Sequence, residues 1–242
     1  MSGPAAERFP GEEAGAINSK QSEPVRKMRL GVLISGSGSN LQAIIDAIEG
    51  GKLPGVEVAL VISNSASAYG IQRALKHNVP VIYLPWQKAL TPTSNQEMTS
   101  NEAQIADLLH SFHVDLVVLA GWMRILSAPF LEQFERRVIN IHPALLPLAG
   151  AGDTCVLSSG ETIPALRGMH VVRMALEAGL TVTGSSVHYV IAEVDAGPVI
   201  CQQEIPIKPG DTEERLHERL KTVEHRLIVE AIHQLKNHFY KH

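Results

Sequence analysis

The chain has 242 residues, of which 45% are hydrophobic and 19% are charged, and this size suits one substantial α/β domain. The formal net charge is −4, so the basic character of a nucleic-acid-binding surface is missing, and no apolar run approaches the roughly 18 residues of a membrane span. Two cysteines without metal-ligand spacing indicate reduced thiols in a cytoplasmic protein and exclude a disulfide framework.

Residues 1–27 are polar and show no hydrophobic period, which predicts a disordered N-terminal tail. The tail lacks the apolar stretch of a signal peptide, and its glutamates argue against a transit peptide. We therefore expect a single domain over residues 28–242.

A glycine-rich turn follows the first predicted strand. The strand covers residues 29–35, the turn reads Gly-Ser-Gly-Ser-Asn over residues 36–40, and Asn40 is the expected N-cap of a helix. Such a turn gathers backbone N–H groups at a helix start and favours an anion. The dinucleotide fingerprint requires glycine where this chain has Leu41, so we expect a single phosphate. A tight turn without any ligand is the alternative.

Further elements alternate between strands and helices. This order predicts an α/β fold with a doubly wound, mostly parallel open sheet that includes an antiparallel hairpin near the C-terminal end of the chain. Expected strands cover residues 56–63, 79–84, 114–120, 138–142, 183–191 and 199–207. Expected helices cover residues 41–49, 69–77, 102–112, 169–179 and 213–236. Residues 85–95 and the glycine- and serine-rich residues 148–168 are expected to be loops.

Two polar side chains lie at the carboxyl end of the fifth strand. Asn140 and His142 flank Ile141, so they should face one space while Ile141 anchors the strand in the core. An amide can donate a hydrogen bond to a developing oxyanion, and an imidazole can move a proton, so the pair fits acyl chemistry. A core histidine beside a turn asparagine is the plainer alternative. Asp195 lies in a later turn that could fold over the same edge, where it would raise the pKa of His142, unless it is an ordinary turn residue.

The fourth strand ends at Gly121, which large apolar residues follow. Ligands of open α/β sheets bind at this edge, and a glycine there lets a flat aromatic ligand lie against the backbone. The alternative is a helix start with core residues.

In combination these segments resemble the phosphoribosylglycinamide formyltransferases, folate-dependent enzymes of purine synthesis. The similarity runs from about residue 28 to the last helix and rests on LISGSGSNLQAIIDAI, VVLAGWMRIL, INIHPALLP, TGSSVHYV, EVDAGPVI and VEHRL. Each motif alone has little specificity for the family, but the order of the motifs and their positions on the sheet make the combination specific.

The resemblance implies a Rossmann-like formyltransferase fold, with 10-formyltetrahydrofolate as co-substrate, no metal, and the amine of glycinamide ribonucleotide as acceptor. It assigns His142, Asn140 and Asp195 to catalysis. It assigns ribonucleotide binding to Gly38, Ser39, Asn40, Lys221, Thr222, Val223 and Glu224. It assigns folate binding to Met123, Arg124, Ile125, Leu126, Asn140, Ile191, Ala192, Glu193, Val194 and Asp195.

The chain departs from the family pattern in three places. Ala144 stands where the family usually has serine after His-Pro, and the segment before the Glu102 helix lacks an expected folate-contacting arginine, whose place Met98 could take. Residues 148–165 form an insertion between Pro147 and the segment that starts at Leu166, and we expect a long surface loop there, which is either without effect on the site or covers the folate entrance.

Two other functions remain open at this stage. A 10-formyltetrahydrofolate hydrolase would use water as acceptor, which needs neither the phosphate turn nor Glu224. A catalytically silent ligand-binding homologue would bind the ribonucleotide without turnover. The expected partners are small-molecule substrates, without nucleic acid or membrane, and the expected assembly is a monomer or a weak homodimer.

Overall fold

The computed structural model describes Gly3, residues 26–86 and residues 98–239, with backbone alone at residues 238 and 239. The strands are β1 (Met28–Ile34), β2 (Val56–Ser63), β3 (Val81–Tyr83), β4 (Leu116–Leu119), β5 (Val138–His142), β6 (Thr154–Val156), β7 (Thr162–Pro164), β8 (Val182–Tyr189) and β9 (Val199–Pro206). The helices are α1 (Ser39–Glu49), α2 (Tyr69–Lys76), α3 (Ser100–Ser111), α4 (Ala128–Gln133), α5 (Val171–Glu177) and α6 (Glu213–Phe239). Most of the predicted tail and of the predicted loop over residues 85–95 lies outside the described residues.

Seven strands form one sheet in the order β3-β2-β1-β4-β5-β8-β9. The strands from β3 to β5 are parallel, β8 is antiparallel to β5, and β9 is antiparallel to β8. This confirms the predicted doubly wound α/β fold and its antiparallel hairpin. The chain proceeds from β1 to β2 on one side and returns to β4 on the other, so the strand order reverses between β1 and β4. Open α/β sheets bind ligands at such a reversal.

Both faces of the sheet are buried. The apolar faces of α1 and α6 pack with β1 on one side, where Leu41, Ile44 and Leu220 are fully buried. Helices α3 and α4 cover the other side with Ile105, Leu109 and Phe130. Burial on both faces explains why β1, β2 and β4 are nearly continuous apolar runs.

The insertion contains a β-hairpin, so the expectation that it is a surface loop throughout was wrong. Strands β6 and β7 pair as an antiparallel hairpin in which Cys155 lies opposite Ile163. Both side chains are buried, together with Leu157, against Leu145 of the main body. The Cys155 thiol donates to the Leu145 carbonyl over 3.2 Å. Each strand has only three residues and a single buried side chain, which is too short for a recognisable period.

Helix α4 was also missed by the sequence analysis. It has six residues with proline in its first turn, so it presents too little apolar periodicity to be recognised. Of the helices described, none combines the length and the apolar character required to span a bilayer.

Candidate functional site

A cavity of about 530 Å³ lies where the strand order reverses. Its lining combines residues from the start of α1, from the ends of β4, β5 and β8, from residues 168–172 and from α6, although these segments are far apart in the sequence. Among the lining residues are Asn40, Gly121, Met123, Arg124, Ile125, Leu126, Asn140, His142, His188, Ile191, Ala192, Val194, Asp195 and Glu224. The fold therefore brings most of the predicted catalytic and folate-binding residues to one place.

Close packing shapes the glycine-rich turn. Gly38 has a φ of 68° and caps α1, and a Cβ atom at this position would lie 2.5 Å from Cα of Gly70. Arg73 of α2 donates from Nε to the Ser37 carbonyl over 2.9 Å. The second helix thus supports the turn from outside the cavity.

Asn40 is inside α1, so the prediction that it is the N-cap was wrong. Its side chain is buried and donates from Nδ2 to Oε2 of Glu224 over 3.1 Å. Its Oδ1 atom is buried without a hydrogen-bond partner. Because an unpaired buried acceptor is costly, this atom is a natural contact for a donor on a ligand.

Glu224 is the member of the predicted α6 group that lines the cavity. Lys221 instead donates to Glu218 over 2.6 Å, Thr222 donates to the Glu218 carbonyl, and Val223 packs in the core. Gly38 and Ser39 are also not among the lining residues. The structure thus brings Asn40 and Glu224 together and leaves the other predicted ribonucleotide contacts outside the cavity wall.

The wall after β4 is held by hydrogen bonds at both ends. The Met123 N–H donates to Oγ of Ser35 over 2.9 Å. The Ser127 N–H donates over 2.6 Å to the buried carboxylate of Glu102, which also completes a capping box at the start of α3. Between these anchors the side chains of Met123 and Ile125 are 68% and 58% exposed, an apolar surface that an aromatic ring could cover.

The remaining predicted folate-binding residues take different positions. The Arg124 guanidinium lies 5.8 Å from the centroid of the Trp86 ring, where it forms a cation–π contact. Glu193 is not among the lining residues, although Ile191, Ala192 and Val194 are. Met98 accepts a hydrogen bond from Gln133 and packs against the core on the side of the sheet that α3 and α4 cover, and it is not among the lining residues.

The three predicted catalytic side chains meet at the carboxyl end of β5. Nδ2 of Asn140 lies 3.5 Å from Oδ1 of Asp195, and Nδ1 of His142 lies 3.5 Å from Oδ2 of the same carboxylate. Nδ2 of Asn140 also lies 3.3 Å from Nε2 of His188, a residue that the sequence analysis did not assign to the site. His188 is opposite Asn140 in the antiparallel register of β5 and β8, and that register could not be read from the sequence.

His142 is buried, with hydrogen-bond acceptors at both ring nitrogens. Its Nε2 atom lies 2.8 Å from the Leu166 carbonyl, to which it must donate because a carbonyl oxygen only accepts. Burial lowers the pKa of His142 below its ordinary value, and the opposing effects of the Asp195 charge and the Leu166 carbonyl do not outweigh it. The prediction that Asp195 raises this pKa is therefore correct for the contribution of Asp195 and wrong for the net shift.

Asp195 is ionised in this environment. Burial alone would raise its pKa, but the hydrogen bond with His188, the charge of His142 and the Gly168 N–H hold the pKa below its ordinary value. The Gly168 N–H donates to Oδ2 over 2.8 Å. Within the described ranges, no group of three His, Cys, Asp or Glu side chains is arranged to hold a metal ion.

Comparison with known proteins agrees with this geometry. The profile of a family described as formyl transferase matches residues 28–232. The phosphoribosylglycinamide formyltransferase of Schizosaccharomyces pombe is 41% identical over 215 residues, which cover 84% of this chain and 95% of that protein. The glycinamide ribonucleotide transformylase 1 of Symbiobacterium toebii, a solved structure, has a TM-score of 0.72 and 42% identity and covers 86% of each chain.

Longer proteins match as well. The trifunctional purine biosynthetic protein adenosine-3 of Bos taurus is 38% identical over 225 residues, which cover 91% of this chain. The present chain spans only 19% of the length of that protein. Together, the profile match, the sequence identities and the shared fold show that the chain belongs to the formyl transferase family, and within it to the phosphoribosylglycinamide formyltransferases.

Proposed function

We propose that this chain transfers the formyl group of 10-formyltetrahydrofolate to the amine of glycinamide ribonucleotide, a step of de novo purine biosynthesis. The observation that carries the proposal is the meeting of Asn140, His142 and Asp195 in the cavity that Asn40 and Glu224 also line. The first group suits acyl transfer, and the second suits recognition of an amine-bearing ligand. The names of the relatives support the same reaction.

Direct transfer passes through a tetrahedral intermediate. The amine nitrogen attacks the formyl carbon, the carbonyl becomes an oxyanion, and the bond from that carbon to the folate nitrogen then breaks. The amine loses one proton and the folate nitrogen gains one, so the reaction is balanced without another reactant. Because its pKa is lowered, His142 starts as a neutral imidazole, and its one proton is on Nε2. Its Nδ1 atom is therefore the base that takes the amine's proton and returns it to the leaving nitrogen, and the Asp195 carboxylate stabilises the imidazolium that forms in between.

The oxyanion needs hydrogen-bond donors. Nδ2 of Asn140 is one, and it now lies near His188 and Asp195. The Nε2–H of His142 is the other, and without substrate it donates to the Leu166 carbonyl over 2.8 Å. We infer that the oxyanion replaces this carbonyl as the acceptor. Loss of one such donor typically costs about 3 to 4 kcal/mol of transition-state stabilisation.

The two ends of the cavity suit the two substrates. Near α1, Asn40 and Glu224 line the cavity, and Glu224 supplies a carboxylate for the ammonium form of the acceptor. The backbone N–H groups of the glycine-rich turn, which lies outside the cavity wall just before Asn40, are the proposed site for the phosphate. Near β4, Met123, Ile125 and Leu126 provide an apolar wall for the pterin, which the segment from Ile191 to Asp195 faces. With this division, the reacting formyl group would lie between the two substrates, beside His142.

Folate release, followed by absorbance with and without glycinamide ribonucleotide, tests the proposal. Turnover that requires the ribonucleotide and is lost in His142→Ala supports it. Turnover without the ribonucleotide would instead identify a hydrolase, and binding of the ribonucleotide without turnover would identify a silent homologue. A cytoplasmic location and a monomeric or weakly dimeric state stay predictions, which fractionation and light scattering can check.

A further inference from the structure

Arg167 connects two separate backbone segments beside the candidate catalytic centre, the loop that carries Asp195 and the start of the insertion. Its Nε donates to the Asp195 carbonyl over 3.1 Å. Its Nη2 donates to the Gly150 carbonyl over 3.0 Å and to the Gly152 carbonyl over 2.6 Å. The planar guanidinium presents several N–H groups in fixed directions, so one side chain can hold all three carbonyls together.

The backbone at Asp195 requires such support. Its φ is 51°, in the left-handed region of backbone conformations that residues other than glycine adopt infrequently. Conformations of this kind persist when surrounding contacts determine them. Besides Arg167, the adjacent Gly168 N–H donates to the Asp195 carboxylate over 2.8 Å. The segment from Leu166 to Gly168 therefore contacts both Asp195 and His142, since the Leu166 carbonyl accepts from the imidazole.

The start of the insertion also contacts the loop that carries Asp195 directly. Gly150 has a φ of 88°, and a Cβ atom there would lie 2.2 Å from the Ala196 carbonyl oxygen. The Val199 N–H donates to the Leu148 carbonyl over 3.0 Å. The start of the insertion therefore packs directly on the loop that carries Asp195, and Arg167 joins the two.

We propose that Arg167 is a positioning residue that clamps the insertion to the Asp195 loop and so holds the Asp195 carboxylate against His142. The role goes beyond the residues assigned to catalysis and substrate binding, and for turnover it rests on the proposed function. Without the clamp, the Asp195 loop is free to leave its left-handed conformation and the distance of 3.5 Å between Asp195 and His142 is no longer fixed.

The pKa of His142 distinguishes positioning from a simple charge effect. The positive charge of Arg167 lowers this pKa, whereas the Asp195 carboxylate raises it. If Arg167 acted only through its charge, Arg167→Ala would raise the pKa. If Arg167 positions Asp195, the variant loses the nearby carboxylate and the pKa falls. The charge of His188 also lowers the pKa of His142. The other titratable or charged groups that line the cavity are Arg124, His170, Glu213, His217 and Glu224.

The experiment compares wild type, Arg167→Ala and Arg167→Lys in the full chain. Histidine C–H resonances are titrated by NMR without ligand, and the His142 signal is identified by its absence in His142→Ala. We expect a lower His142 pKa in both Arg167 variants, and the lysine variant is decisive because it retains the charge while losing the planar fork. We also expect kcat to fall about 10- to 100-fold with little change in either KM, since small displacements of catalytic groups have costs of this size.

Arg137→Ala is the matched control, because Arg137 is an arginine outside the cavity that donates to the Gln133 carbonyl and packs on Phe134. Its kcat and its His142 titration should equal those of wild type. An unchanged or raised His142 pKa in the Arg167 variants, or an unchanged kcat in an active enzyme, would overturn the proposal. If wild type shows no formyl transfer, the proposed function fails, and the ligand-free titration still decides whether Arg167 positions Asp195.

Discussion

Replacing Asp195 by asparagine removes one negative charge from the candidate catalytic centre and keeps the shape of the side chain. The amide oxygen can still accept from the Gly168 N–H, so the loop retains its hydrogen bond of 2.8 Å. What changes is the electrostatic environment of His142, whose Nδ1 lies 3.5 Å from the carboxylate. The variant therefore tests the charge of Asp195 separately from its packing.

The size of the effect follows from the distance. Two unit charges 3.5 Å apart attract by about 5 kcal/mol at an effective dielectric constant of about 20, and by about 1 kcal/mol in bulk water. The side chains of His142 and Asp195 are 4% and 10% exposed, so the interaction lies well above the bulk-water value. Since 1.4 kcal/mol corresponds to tenfold, a loss of about 3 to 4 kcal/mol reduces turnover about 100- to 1,000-fold.

The pH dependence of kcat/KM shows in which direction the pKa of His142 changes. Burial already places the pKa of His142 below its ordinary value, and the Asp195 charge is the main opposing effect. In Asp195→Asn that opposition is lost, so the pKa falls further and the acidic limb of the kcat/KM profile moves to lower pH, because the neutral imidazole acts as base. Urea unfolding should show a change below about 2 kcal/mol, because the side-chain volume and the Gly168 contact remain. Near-normal turnover with an unmoved acidic limb would refute this reasoning.

Three further variants address other parts of the account. Glu102→Ala leaves buried N–H groups unpaired at the start of α3 and before α4, so its free energy of unfolding in urea should fall by about 2 to 4 kcal/mol; no loss would mean that water replaces the carboxylate. Ile163→Ala should lower the free energy of unfolding, measured by thermal denaturation, by about 2 to 4 kcal/mol. Val156→Ala, on the exposed face of the same hairpin, should lower it by less than about 0.5 kcal/mol. Equal losses in the two variants would show that the hairpin does not pack on the main body. Glu224→Gln should raise the KM for the ribonucleotide at least about tenfold and leave the folate KM unchanged, and the reverse pattern would contradict the assignment of the two cavity ends.

Several features of the fold could be predicted because they depend on local rules. Continuous apolar runs indicate strands buried on both faces, as found for β2 and β4. The alternation of side chains along a strand is independent of the rest of the fold, so Asn140 and His142 were correctly expected to face one space. Topology allowed Asp195 to fold over the same edge but left an ordinary turn residue as the alternative, since a turn residue has no such periodicity. The family resemblance then assigned Asp195 to catalysis.

Other features depend on tertiary contacts that a sequence does not show. His188 joins the site through the register of β8 against β5, and a shift of one residue would have turned it to the other face. The net pKa shift of His142 depends on how deeply it is buried relative to its distance from Asp195. The hairpin in the insertion depends on Cys155 and Ile163 finding Leu145, a contact with no local pattern.

The central claim is that Asn140, His142 and Asp195 transfer a formyl group directly between two bound substrates. The most direct measurement follows a ¹³C-labelled formyl group by NMR, from 10-formyltetrahydrofolate in the presence of glycinamide ribonucleotide, with wild type and with His142→Ala. We predict that wild type moves the label into the formamide of the ribonucleotide product, and that the variant leaves it on the folate. Label recovered as free formate, or transferred equally well by the variant, would contradict the account.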